Sequence, residues 1–184
     1  MEFFKHQNKI VKFILKRNIL LFIFFLFSQV LLGQAPQNSP VCPNGSIILT
    51  STNDTGIVYQ WQINTGNGFT NLTDGSHYSG PGTYSMQLIN LPSSWYGYQY
   101  RCVVDGVPRN VYALQFVTDW LGITDNWSDP NNWSCGNLPD STTDVIIPFG
   151  GEVIVDVNAA CRSLVLDLNS SVRINTGVNL TIVH

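Results

Sequence analysis

Tyr59-Gln60-Trp61-Gln62 sets two aromatic side chains on one face and two amides on the other. A period of two over so short a run is the mark of a half-buried strand. Cys42 lies before it and Cys102 after it, with Tyr100 two residues ahead of the second cysteine. A tryptophan between two cysteines suits a two-sheet β-sandwich in which the indole packs beside a bridge joining the sheets. Trp61 and Tyr100 are accordingly expected in the core.

The flanking sequence carries the same period. Ser46 to Ser51 reads as a strand closed by Asn53-Asp54-Thr55-Gly56, and Asn64-Thr65-Gly66-Asn67-Gly68 is a turn before a short edge strand from Phe69 to Leu72. Tyr84, Met86 and Leu88 alternate, as do Tyr98, Tyr100 and Cys102, and Val111 to Val117 closes the series. Short strands separated by turn residues, without a helical period, indicate an all-β antiparallel sandwich. Three stretches are similar to the Ig-like modules of large secreted and surface proteins of Bacteroidota. They are Tyr59-Gln60-Trp61-Gln62, Gly68-Phe69-Thr70-Asn71-Leu72 and Gly97-Tyr98-Gln99-Tyr100-Arg101-Cys102-Val103-Val104. The likeness covers about Pro40 to Val117 and implies an extracellular module that binds or spaces. Cys42 departs from the antibody pattern, because it precedes the Ser46 strand and so places its bridge near one end of the sandwich.

Upstream, a basic stretch ending at Arg17 precedes the apolar run Ile19 to Phe27 and the small residues before Ala35. That order reads as a secretory signal peptide over 1–35, with export to the medium or the outer cell surface and no membrane segment after cleavage. Beyond it the charge is lopsided: four arginines, no lysine and eleven acids leave −7. Such a surface repels phosphate backbones, so nucleic acid is excluded as a partner. The four cysteines all lie in the exported part, where disulfides persist. Three pairings exist; Cys42–Cys102 with Cys135–Cys161 is favoured because each pair stays within one module. Zinc is set aside, since no C-x-x-C or His-x-x-x-His spacing occurs.

At Thr118-Asp119 the composition shifts. Asp125-Asn126-Trp127-Ser128-Asp129-Pro130-Asn131-Asn132-Trp133 leads into a strand-rich tail in which Leu164-x-Leu166, Val172-x-Ile174 and Leu180-x-Ile182 recur at eight-residue steps, with polar corners between. A strand and a corner, repeated, describe a β-solenoid. The segment resembles the Trp- and Asn-rich repeat regions that similar secreted bacterial proteins carry before parallel β-helical arrays. The boundaries are therefore an Ig-like sandwich over 36–117 and a solenoid-like segment over 118–184. The repeat is still running at Leu180-Thr181-Ile182-Val183, which leads us to expect a natural chain that continues further, with dimerisation through an open coil as the alternative.

Chemistry is sparse. Trp127 and Trp133, with Trp120, Tyr96 and Tyr98, are candidate stacking platforms for sugars, and core filling competes with that role. Asp125 and Asp129 are weak calcium candidates that lack the order of an EF-hand loop. No Ser-His-Asp set, Gly-x-Ser-x-Gly or His-Glu pair is present, and Glu152 with Asp156 reads as a solvent-facing pair. The expectation is a non-catalytic, cofactor-free binding or spacer protein, an adhesin-like stalk fragment that meets extracellular polysaccharide or other surface proteins. The alternative is a carbohydrate-binding accessory region of a secreted polysaccharide-degrading enzyme.

Overall fold

Residues 35–52 and 55–184 are described by a computed structural model. The signal peptide assigned to 1–35 lies, but for Ala35, outside the described residues, as do Asn53 and Asp54 of the first turn. No helix among the described residues is long and apolar enough to cross a membrane.

Two sheets form the sandwich. In one, β3 (Tyr59–Asn64) pairs antiparallel with β4 (Phe69–Asn71) and β7 (Gln99–Val104), and β7 pairs with the long β8 (Val107–Asp119). The first strand, β1 (Gln37–Val41), runs parallel along β8 from Tyr112 to Phe116. The second sheet is β2 (Ile47–Thr50), β6 (Ser85–Leu88) and β5 (Tyr78–Ser79). This is an Ig-like arrangement, and its core follows from the alternation in the sequence. Trp61 lies directly opposite Cys102 and is fully buried with Leu49, Met86, Leu88, Tyr100, Leu114 and Phe116. The indole Nε1 donates to the Thr83 carbonyl at 3.0 Å, so the ring is held as well as packed.

The tail is a parallel coil. Its first turn is β9 (Asp144–Ile147), β10 (Glu152–Val155) and β11 (Ala159–Cys161); the second is β12 (Ser163–Leu166), β13 (Ser171–Ile174) and β14 (Leu180–Ile182). Each strand lies in parallel register on its predecessor one turn back: Asp144 meets Ser163, Glu152 meets Ser171 and Ala159 meets Leu180. The eight-residue step of the sequence is thus one face of the coil, and three faces complete a turn. Inward residues stack in ladders, Val145 on Leu164, Val153 on Val172 and Val155 on Ile174, which is how a solenoid buries a core one turn at a time.

One strand serves both parts. β8 pairs with β7 and β1 over most of its length, and its last residues, Val117–Asp119, pair in parallel with β9. The boundary drawn at 117/118 falls inside it.

The disulfide pairing differs from expectation. Cys42 is bonded to Cys135 with Cα atoms 5.4 Å apart, and Cys102 and Cys161 are free and buried. Cys42 follows directly on β1, whose last residue lies beside Phe116 near the exit of β8, and Cys135 sits there too, beside Val117. Cys102 is instead in mid-strand, and the group its thiol bonds on the β2 side is Ser51, not a cysteine. Cys161 points into the coil interior, and burial pushes its thiol up to about 11. Burial raises the Cys102 thiol as well, so both stay protonated and unreactive.

Candidate functional site

The tryptophans proposed as sugar platforms are core residues. Trp127 and Trp133 are buried, packed edge to face at 4.7 Å, and Trp120 meets Trp133 at 4.9 Å. Trp133 Nε1 donates to the Trp127 carbonyl at 2.9 Å. The paired asparagines explain the motif. Asn132 is wholly buried; its amide donates to Thr124 Oγ1 and the Asn126 carbonyl, and its carbonyl accepts the Thr124 N–H. Every polar atom of that side chain is used in folding one loop over the coil's core, as a buried amide requires. No ring face is left for a sugar. Tyr98 is half-buried and stacks on Trp95 at 5.6 Å, which has Tyr78 at 5.9 Å on a near-parallel plane.

The carboxylates are likewise employed. Asp129 caps the short turn Pro130–Asn132, accepting the Asn131 N–H and the Thr124 hydroxyl, and these bonds hold its carboxyl below the usual range. Asp125 is exposed and contributes its main-chain carbonyl to Ile154. Among the described residues no group of three or more His, Cys, Asp or Glu is placed to hold a metal. Asp156 accepts both the N–H and the hydroxyl of Ser128, which separates its role from that of the exposed Glu152.

Two arrangements escaped the sequence reading. The first joins sandwich to coil. The Asp144 carboxylate accepts two bonds from Arg162, at 2.7 and 3.0 Å, one from Ser163 at 2.5 Å and one from the Tyr96 hydroxyl at 2.7 Å. Arg162 also lies over the Tyr96 ring at 4.1 Å. Burial pushes the Asp144 carboxyl up, but the bonds from Arg162, Ser163 and Tyr96 outweigh it and hold the group below its ordinary value. The same contact, with burial first, raises the Tyr96 phenol to about 12. The signal was available: Asp144 and Ser163 open two strands of the same apolar pattern, so they had to stack.

The second is the far tip of the sandwich. Asp105 and Gly106 both have positive φ, 50° and 80°, the backbone of a two-residue hairpin between Val104 and Val107. The Asp105 carboxylate accepts the N–H groups of Ile57 and Val58, and its own N–H donates to the Val58 carbonyl at 2.9 Å. Ile57, Val58 and Val107 are therefore held at one end while 90%, 63% and 51% exposed. An Asp-Gly pair between valines is a strong hairpin signal that the sequence reading passed over. The tip and the coil lie at opposite ends of β8, roughly 40 Å apart at the rise of an extended strand.

No family model matches this chain, and no curated protein matches it. Among solved structures, it is similar to the extracellular domain of the voltage-gated sodium channel beta4 subunit, described as a parallel homodimer with a role in cell–cell adhesion. That match has 16% identity and a TM-score of 0.34 over 45% of this chain and 88% of the other.

Proposed function

We propose that this is a non-catalytic, extracellular binding and spacer protein of adhesin type, with the Ile57–Val58–Val107 tip as the contact and the coil as its mount. The observation that supports it most is the shared β8. A strand common to both sheet systems fixes the tip at the far end of a stiff unit, as a spacer requires, and the apolar tip is braced open by Asp105 instead of folding inward. Exposed apolar side chains grouped at one place on a surface mark protein–protein contacts when the patch is large enough. The resemblance to Bacteroidota surface modules agrees with this reading, as does the signal segment.

Beads carrying the Pro36–His184 unit would be tested for adhesion to the cells that make the protein and to a panel of polysaccharide matrices. The Ile57→Asp/Val58→Asp variant, with unchanged melting, is expected to lower cell adhesion at least tenfold. Capture by a polysaccharide, undiminished in that variant, would move the assignment to the carbohydrate-binding alternative, on a surface other than Trp127 and Trp133.

A further inference from the structure

Apolar side chains also gather on the outside of the coil, at the corner where its first face turns into its second. The chain passes this corner at three levels. Residues 121–124 cross it between Trp120, whose N–H donates to the Ile146 carbonyl, and Asp125, whose carbonyl accepts from Ile154. Residues 148–151 cross it between β9 and β10, and residues 167–170 between β12 and β13. The Gly150 N–H donates to the Leu168 carbonyl, which ties the second level to the third. A Cβ at Gly122 would stand 3.2 Å from the Trp120 indole and one at Gly151 3.3 Å, so the first two levels close over one ring. Leu121, Ile123, Phe149 and Leu168 point outward here and are 55% to 79% exposed. The middle level has chain on both sides, since β9 lies between β8 and β12, so Phe149 is open sideways and not along the axis. Residues 119–125, 148–152 and 167–170 also carry the exposed carboxylates of Asp119, Asp125, Glu152 and Asp167, and no Lys, Arg or His.

We infer that this corner is the docking face for a basic amphipathic helix of a partner protein, a contact separate from the tip. Charge narrows the occupant first. A second copy brings no lysine beyond residue 35 and four arginines, of which Arg162 is paired with Asp144 and Arg101 lies over Phe69. Corner against corner would set carboxylates against carboxylates, and an anionic membrane surface is repelled for the same reason. An apolar column bordered by acids matches instead a segment whose apolar stripe is flanked by lysine or arginine, the apolar centre and charged rim of a protein contact. Spacing then selects a helix. Successive levels of the coil are one strand spacing apart, about 4.8 Å. A helix returns a side chain to the same face every turn, about 5.4 Å, whereas same-face residues of a strand are about 6.6 Å apart. Over two steps a helix laid along the coil axis drifts from the column by about 1 Å, and a strand by about 4 Å.

The probe is a fluorescein-labelled helical peptide of leucine and lysine, with leucine at i, i+3, i+4 and i+7. Its anisotropy is followed on titration with the Pro36–His184 unit, which contains both cores. The striped peptide should bind, and a peptide of the same composition with its leucines scattered should bind at least tenfold more weakly. Phe149→Ser/Leu168→Ser, with unchanged melting, should weaken the striped peptide at least tenfold. Asp125→Asn/Asp167→Asn should flatten the dependence of binding on salt. Should the first pair alter melting, Leu121→Ser/Ile123→Ser reads the same column from the other loop. Equal binding of the scattered peptide, or native affinity in both apolar variants, would overturn the inference. So would self-association, or binding to phosphatidylcholine vesicles, that is lost in Phe149→Ser/Leu168→Ser, because a second copy or a bilayer would then be the occupant.

Discussion

Asp144 ties the sandwich to the coil. Its carboxylate serves Tyr96 of the sandwich and Arg162 and Ser163 of the coil at once. A carboxyl held below its ordinary value when folded contributes stability that is fully present above the unfolded value, about 3.9, and lost as pH falls through the folded one. Thermal melting between pH 5 and pH 2 should therefore decline in the native chain. In Asp144→Asn the decline should be shallower from a starting point lower by about 2 kcal/mol, the scale of losing bonds to a charged acceptor. A slope unchanged by the substitution would place the acid sensitivity elsewhere. Trp61→Ala belongs to the same scale: emptying a fully buried aromatic site should cost about 3–5 kcal/mol in denaturant titration.

Among the elements, the hairpin at Asp105-Gly106 is the most exposed to test. Asp105→Ala removes the acceptor for two N–H groups of the preceding loop, and Gly106→Ala forces a side chain to φ 80°. Each is expected to cost about 1 kcal/mol globally, but in hydrogen exchange the effect should concentrate at Ile57 and Val58 in the first variant alone. Legibility in the sequence followed the range of the causes. The β3 alternation depends on neighbours a few residues away and could be read; Trp61 and Tyr100 do lie in the core, although the Cys42–Cys102 bridge expected beside them is absent and Trp61 faces a free Cys102. The eight-residue step could be read too, but not that three steps close a turn, since that is settled by pairing nineteen residues apart. Trp127 and Trp133 were ambiguous because their indoles suit either a platform or a core; the buried Asn132 beside them decided it. The cysteine pairing failed for a related reason. Counting within modules cannot see that β1, the first strand, runs along the last strand of the sandwich and delivers Cys42 to the coil.

For the whole molecule, that same bridge governs how the chain answers a pull. Tension applied between Pro36 and His184 reaches Cys42 after β1 and crosses covalently to Cys135, so the residues between them carry no load. The sandwich is short-circuited, and the coil is the extensible part: it can unwind turn by turn while the tip keeps its shape. In single-molecule stretching, oxidised protein should lengthen only by β1 and the segment after Cys135. Adding a reductant should release the loop closed by the bridge, a sequence separation of 93, as a new event of about 320 Å at roughly 3.4 Å per extended residue. An oxidised trace that already shows the longer release would mean that the bridge does not carry the force. A protein wired in this way can yield in the coil and recover, without exposing the interior of the sandwich.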